Sequence, residues 1–136
     1  VFWVSSVPWI VDPAGAGDSW GSYSYERESI SQFLDDRKID NVVMLAGDAH
    51  MLAADDGTHS NYAHPDQLGF PVLQAAPIDQ HVSTKGGPYS EGVVAEPGQF
   101  GLVTVSDSGG SVRVHFEGRN AFGETVLSYR WVAPAP

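Results

Sequence analysis

The sequence predicts an α+β fold in which a βαβ unit precedes an antiparallel β meander. The first observation is the succession of strand, helix and strand patterns in the first third of the chain, at Val1–Val7, Tyr25–Lys38 and Val42–Ala46. The second is period-two alternation in the last third, at Phe100–Ser106, Ser111–Glu117 and Thr125–Trp131. Because no repeat or linker divides the chain, we expect one unit, composed of residues 1–56 (βαβ), 57–99 (loops and one strand) and 100–132 (meander).

The first strand and its loop open the chain. Residues Val1–Val7 have strand propensity throughout, and Pro8 ends the strand. Trp9–Val11 continues as an apolar flap, and the Pro- and Gly-containing segment Asp12–Asp18 is a loop. Long loops after a strand end often carry function, although many only connect elements.

The helix is predicted at Tyr25–Lys38. Its buried stripe has the spacing i, i+3, i+4 and i+7, and consists of Ile30, Phe33, Leu34 and Arg37. Ser22 or Ser24 is expected to cap its start. The strands on either side of the helix should be parallel neighbours joined by a right-handed crossover.

The segment Asn41–His50 is the centre of the predicted fold. Its apolar run Val42–Ala46 is typical of a strand buried on both faces. Gly47 then permits a sharp turn, so Asp48 and His50 can both face the crevice at the carboxyl end of the strand, where open α/β sheets bind ligands. A carboxylate and an imidazole there suit a metal or phosphate site. An ordinary turn with a satisfied histidine is the alternative, because four residues alone are a weak motif.

The middle of the chain is less regular. Strands are expected at Met51–Ala54 and Pro71–Ala76. The acidic turn Asp55–Thr58 lacks the remaining ligands of a calcium loop, which favours a solvated turn. The polar loop after it holds His59, Asn61, His64 and Asp66, and histidines at such irregular spacing on a loop usually have no direct role in function. In the irregular segment Ile78–Gln99, the amides beside Lys85 could cradle an anion, although a plain turn is the simpler interpretation.

Composition restricts the possible functions. A formal net charge of −10, with only seven lysines and arginines, argues against nucleic acid as a partner. An acidic chain that handles phosphate esters needs metal ions to offset the repulsion. Because there is no cysteine, disulfides and thiolate chemistry are excluded, and no apolar segment has the length of a membrane span. The chain opens directly in a strand, which is typical of a piece of a longer protein.

Several of these segments, in the same order and spacing, resemble the carboxyl-terminal half of PhoD-like alkaline phosphatases, of the calcineurin-like metallophosphoesterase superfamily. The family pattern is Asp-x-Trp-Asp-Gly-Tyr, Glu/Gln-Arg, a helix, and Asn-Val-Val-x-Leu-x-Gly-Asp-x-His. This chain has Asp18-Ser19-Trp20-Gly21-Ser22-Tyr23, Glu26-Arg27, the predicted helix and Asn41-Val-Val-Met-Leu-Ala-Gly-Asp-Ala-His50. The resemblance covers residues 1–56 and extends loosely through the meander, and it departs from the pattern at Gly21-Ser22.

The resemblance implies a four-layer α/β/β/α fold, of which this chain supplies the second half, and hydrolysis of phosphate mono- or diesters at a metal cluster. His50 matches the last histidine of the superfamily's Gly-His-x-His motif, a metal ligand, and Asp48 replaces the first. An oxygen donor there fits iron and calcium better than a zinc pair. By the same analogy Trp20 and Tyr23 line the substrate entrance, unless they only pin their loop. The family also implies an extracytoplasmic location.

The remaining ligands of the family come from motifs in the first half, which this chain lacks. Two candidate ligands cannot hold a two-metal cluster, because each ion needs four to six donors. We therefore expect the chain alone to be inactive, with the missing amino-terminal half supplied by the same precursor, a separate chain or an oligomer. The alternative is a non-catalytic structural or interaction module that binds a partner through the meander or an exposed sheet edge.

Overall fold

A computed structural model describes residues 1–15 and 17–134, so Ala16, in the predicted loop, and the last two residues lie outside the described part. Within it, one α-helix and two β-sheets form the fold. The helix is α1 (Ser24–Asp36), and short 3-10 turns occupy Pro13–Gly15 and Trp20–Tyr23. The strands are β1 (Phe2–Ser5), β2 (Val43–Ala46), β3 (Leu52–Asp55), β4 (Val72–Gln74), β5 (Gly92–Val94), β6 (Phe100–Asp107), β7 (Val112–Arg119) and β8 (Thr125–Val132).

The first sheet has the strand order β1-β2-β4-β3-β5. The predicted parallel pairing is confirmed: β1 runs parallel to β2, with Phe2 opposite Val43 and Ser5 opposite Ala46. Strand β4 continues the parallel set, whereas β3 is antiparallel to both β4 and β5. Because β1, β2 and β4 are parallel, their carboxyl ends lie at one edge of the sheet.

Strand β5 is a second strand within residues 57–99, where the sequence predicted only one.

The second sheet is the predicted meander, with order β6-β7-β8 and antiparallel pairing throughout.

Two hydrophobic clusters lie on opposite faces of the first sheet. Met44 and Ala46 pack in the cluster under α1, while Val43 packs with Phe116 of β7 between the two sheets. The alternation along β2 explains this arrangement, because successive side chains of a strand point to opposite faces. The described chain is thus an α+β fold of one helix on two stacked sheets.

The helix differs from its prediction at both ends and on its buried face. Its N-cap is Tyr23, which makes no side-chain capping bond, because the 3-10 turn Trp20–Tyr23 leads directly into it. The Ser22 hydroxyl donates instead to the carbonyl of Gly17. Arg27 and Ser31 are buried, whereas Phe33 is 52% exposed and lies beside the Arg37 guanidinium. The expected stripe was wrong at Phe33 and Arg37 because the helix packs on the segment after β1 through Arg27.

The segment Trp9–Val11 is core and not a flap. Trp9 is completely buried, and its indole Nε1 donates to the carbonyl of Ser60 at 2.9 Å. The ring centroids of Trp3, Trp20 and Phe70 lie 5.2–5.4 Å from that of Trp9. An apolar stretch after a proline gives no local indication of such long-range packing.

The acidic turn after β3 is also not fully solvated, because the Asp55 side chain is completely buried and hydrogen-bonded. None of the helices in the described residues is long and apolar enough to cross a membrane.

Candidate functional site

The candidate site is the turn that follows β2, which we call the site turn (Gly47–His50). It lies at the carboxyl ends of the parallel strands, where open α/β sheets bind their ligands. Asp48 and His50 have positive φ angles of 68° and 54°. Non-glycine residues rarely adopt this left-handed conformation, which costs roughly 1–2 kcal/mol per residue. Two such residues in one turn are a feature that clusters at functional sites.

The imidazole of His50 is held by one nitrogen. Its Nδ1 lies 2.8 Å from the carbonyl oxygen of His81, a contact in which Nδ1–H donates. The other nitrogen, Nε2, is then an acceptor, and it makes no hydrogen bond with any described residue. Metal-binding histidines have this arrangement, with one ring nitrogen fixed by a carbonyl or carboxylate and the other free to ligate.

Asp48 already has a cationic partner. The Lys85 ammonium donates to its Oδ2, and both side chains are partly exposed. An ion pair of this exposure contributes at most about 1 kcal/mol, so a metal ion could take the place of the lysine. As the structure stands, Asp48 is neutralised by Lys85.

A segment that sequence reasoning described only as irregular holds the site turn in place. We call residues 81–85 the strap. The Ser83 amide donates to the carbonyl of His50 at 3.3 Å, and its hydroxyl donates to that of Ala49 at 2.9 Å. Together with the His81 carbonyl and the Lys85 ammonium, four strap groups contact three consecutive residues. Only Lys85 stood out in the sequence, and nothing there indicated its partner.

The two glycines after the strap do not form the anion cradle considered from the sequence. The amide of Gly87 donates to the carbonyl of Ile10 at 2.8 Å. A Cβ atom on Gly86 would lie 2.1 Å from that same oxygen, so only glycine fits there. These residues dock the strap on the buried segment after β1, which supports the plain-turn interpretation.

Gln74, at the carboxyl end of β4, is a site residue that the sequence reasoning missed. Its amide nitrogen donates to the carbonyls of Ala46 at 3.1 Å and Gly47 at 2.7 Å, and its side chain is completely buried. Its Oε1 is buried without a partner among the described residues. In the sequence, the indication of its role was its position as a polar residue at the end of an apolar strand. Gln74 fixes the point at which the chain leaves β2.

Trp20 and Tyr23 lie in the turn before α1. The Trp20 indole packs on two other tryptophan rings, and its Nε1 donates to the hydroxyl of Ser5 at 3.0 Å. Because Ser5 pairs with Ala46, Trp20 sits at the same end of the sheet as the site turn. Tyr23 is 61% exposed, with its ring centroid 6.4 Å from that of Trp20. These contacts hold the Trp20 ring in place, and Tyr23 is the more exposed of the two rings.

The residues present fit only part of a metal centre. Across residues 1–15 and 17–134, no group of three or more His, Cys, Asp or Glu side chains could hold an ion. His50 offers one free nitrogen, and Asp48 offers a carboxylate that Lys85 now occupies. A closed site needs at least four donors. Asp48 and His50 are thus two candidate donors, fewer than a closed site needs.

A family model described as PhoD-like phosphatase matches residues 9–120, which is 112 of the 136 residues. The matched segment includes α1, the site turn, the strap and strands β2 to β7. No curated protein matches the chain. No solved structure matches it either.

Proposed function

This chain belongs to the PhoD-like phosphatase family, and we propose that it takes part in metal-dependent hydrolysis of phosphate mono- or diesters, with His50 and Asp48 as its metal ligands. The observation that carries the proposal is the imidazole of His50, fixed at Nδ1 by the His81 carbonyl with Nε2 left as an acceptor. Iron and calcium are the proposed metals. Bound ions would supply a hydroxide nucleophile and stabilise charge on the phosphoryl oxygens.

The chain's own residues have positioning roles in this proposal. The His81 carbonyl sets the tautomer of His50, and Ser83 and Gln74 hold the backbone of the site turn on either side of Asp48. The Lys85 ammonium places positive charge beside the site, which an anionic ester requires in a chain of net charge −10. Tyr23 and Trp20 are proposed to border the substrate entrance.

We further propose that residues 1–136 form the second half of a four-layer fold whose first half supplies the remaining ligands. Strand β8 contacts β5 and β3, so β1 and β6 are the free edges on the opposite side of the two sheets. Val4 and Val105 lie on the inner faces, opposite Leu45 and Val114. They are nevertheless 74% and 50% exposed. Free edges that carry apolar side chains favour pairing with further strands, from a preceding segment or from another chain.

A non-catalytic interaction module is the second candidate. It is favoured by the incomplete donor set in the described residues and by the ion pair that occupies Asp48. In that case the same edges of β1 and β6 would bind a structural partner. Metal content distinguishes the two candidates, since stoichiometric iron or calcium in the assembled protein supports the phosphatase and its lack supports the module.

The experiment that tests the proposal compares the 136-residue chain with a longer precursor that carries both halves. With iron and calcium added, we expect p-nitrophenyl phosphate and bis(p-nitrophenyl) phosphate to be hydrolysed by the precursor only. His50→Ala in the precursor should lower kcat about 100-fold or more, because loss of a metal ligand's hydrogen-bond partner alone costs about 10–100-fold. The control His64→Ala should not.

Robust turnover by the 136-residue chain would contradict the half-site. Full activity in the His50→Ala precursor would contradict the assigned ligand.

A further inference from the structure

A cavity of about 340 Å³ lies away from the site turn, between the segment after β1, the loop after β3 and Gly87–Pro88. We call it the loop cavity. Its walls are largely apolar, formed by Ile10, Val11, Pro13, Tyr62, Pro65 and Pro88. Neither Asp48 nor His50 lines it. Its polar side chains come from Asp12, Thr58, His59 and Asn61.

His59 is oriented in this cavity by a buried carboxylate. Its Nδ1 lies 2.7 Å from Oδ2 of Asp55, whose side chain is completely buried. Asp55 also accepts hydrogen bonds from the backbone amides of Gly57, His59 and Ser90 at 3.0–3.1 Å. With this many donors, the carboxylate is fixed and stays the acceptor. In neutral His59 the proton is therefore on Nδ1, and Nε2 is an acceptor on a side chain that is 32% exposed.

The remaining polar side chains decide what the cavity can bind. Thr58 and Asn61 use their side-chain groups within the loop and on α1. Asp12 accepts one bond, from the amide of Ala14 to Oδ1 at 2.7 Å. The Tyr62 hydroxyl donates to the carbonyl of Trp9 at 3.5 Å. Among the described side chains that line the cavity, Oδ2 of Asp12 and Nε2 of His59 are thus the polar atoms that make no hydrogen bond. Both are acceptors, so a complementary ligand must donate hydrogen bonds.

Charge points the same way. The Arg27 guanidinium attracts Asp12, but it is buried, donates to the carbonyls of Trp9 and Val11 at 2.6 and 2.9 Å, and does not line the cavity. Asp12 is the charged side chain on the cavity wall, and Asp55 lies behind His59. Apolar walls with carboxylates favour a cationic donor on an apolar body.

We propose that the loop cavity binds a small organic amine with an apolar or aromatic body. Asp12 and His59 accept hydrogen bonds from its ammonium group, while the prolines and Tyr62 cover the apolar part. Asp55 is a positioning residue that fixes the tautomer of His59. This site is independent of the phosphoesterase chemistry, because the residues that carry it are not those of the site turn.

The test uses three probes of one shape and different charge: benzylamine, benzyl alcohol and benzoate. At pH about 8.5, above the usual range of imidazole titration, we expect benzylamine to bind with a Kd on the order of 1 mM. It should shift the Nε2 resonance of His59 in long-range ¹H–¹⁵N spectra of the 136-residue chain. Benzoate should not bind.

Two matched variants each remove one exposed carboxylate. Asp12→Asn removes one that lines the cavity, and Asp66→Asn removes one that does not. Asp12→Asn should weaken benzylamine binding about tenfold or more, since a charge-assisted bond is lost, and Asp66→Asn should leave it unchanged. His59→Phe, checked for native circular dichroism, should abolish binding. Equal binding of benzoate, equal effects of the two carboxylate variants, or no shift at His59 would overturn the proposal.

Discussion

At the scale of single residues, the site turn combines two candidate site residues with an unfavourable backbone. Asp48 and His50 are both in the left-handed region, where glycine has no steric cost. The strap and Gln74 hold the turn by hydrogen bonds from both sides. A turn optimised for stability alone would carry glycine at these two positions. We infer that the side chains of Asp48 and His50 are kept for what they bind.

This inference predicts the order of stability of two variants that both remove the imidazole. His50→Gly should be more stable than His50→Ala by about 1 kcal/mol, because the φ of 54° is strained for alanine and free for glycine. Urea denaturation of the two variants measures the difference. Equal stability, or a more stable alanine variant, would show that the turn relaxes and stores no strain.

Arg27 is a second residue whose role becomes evident only in three dimensions. The residue is 1% exposed, and its guanidinium stacks 3.5 Å from the centroid of the Tyr62 ring and donates to two carbonyls of the segment after β1. Burial lowers its pKa, while nearby Tyr62 and Asp12 oppose that shift. Arg27 thus holds the segment Trp9–Val11 against α1. Among the described residues, no carboxylate forms an ion pair with it.

Replacing Arg27 with methionine should therefore be costly. Arg27→Met keeps much of the apolar stem but leaves the carbonyls of Trp9 and Val11 without their donor, and we expect the free energy of unfolding to fall by roughly 2–4 kcal/mol. The matched control is Arg37→Met, at the exposed C-cap of α1, which should change it by less than about 0.5 kcal/mol. Chemical denaturation would decide, and similar effects of the two variants would contradict the assigned role.

At the scale of elements, the two sheets approach each other closely where β6 crosses the end of β4. A Cβ atom on Gly101 would lie 2.8 Å from the Cβ of Ala75 and 2.9 Å from the Phe116 ring. The alanine methyl group cannot move away by rotation about a side-chain bond, so the sheets themselves would have to separate. Gly101 thus sets the spacing of the layers that carry the inter-sheet core.

Gly101→Ala should accordingly destabilise the fold by about 1–3 kcal/mol through overpacking. The control is Gly15→Ala, where a Cβ atom would meet nothing within 4 Å. Thermal unfolding of both variants tests this expectation. A midpoint for Gly101→Ala no lower than that of the control would mean that the sheets adjust freely.

The elements were largely predictable from the sequence, whereas their contacts were not. Hydrophobic periodicity is local, and it placed β2, α1 and the three strands of the meander close to where they occur. The burial of Trp9, the face that α1 presents and the hold of the strap on the site turn depend on residues 18 to 51 positions apart. No single-sequence pattern encodes such pairs. The site was predictable at Asp48 and His50 because a motif marks them, but Gln74 and Ser83 carry no motif.

At the scale of the whole molecule, buried tyrosines couple stability to alkaline pH. Burial raises the pKa of Tyr129, on the inner face of the meander, to about 12. Burial also raises the pKa values of Tyr62 and Tyr89. An unfolded tyrosine ionises near about 10. Between these pH values the unfolded chain has lost a proton that the folded chain retains. The stabilising contribution of these tyrosines to the free energy of unfolding is therefore complete below about pH 10, and it is lost as the pH rises toward 12.

Tyr129→Phe should make this fall shallower, because one of the shifted groups is gone while Tyr62 and Tyr89 remain. Urea denaturation at pH 9, 10 and 11 measures the slope for wild type and variant. Tyr25→Phe, at a residue 84% exposed, is the control and should leave the slope as in the wild type. A Tyr129→Phe slope equal to the wild-type slope would contradict the coupling.

The central claim is that His50 is a metal ligand, and its most direct test is cobalt titration of the chain, followed in imidazole ¹⁵N spectra. The chain has five histidines, so the other four serve as internal controls. We predict that the Nε2 resonance of His50 broadens at the lowest cobalt concentration, and that Asp48→Asn raises the concentration required. If all five broaden together, or another histidine responds first, the proposal that His50 is a metal ligand is contradicted.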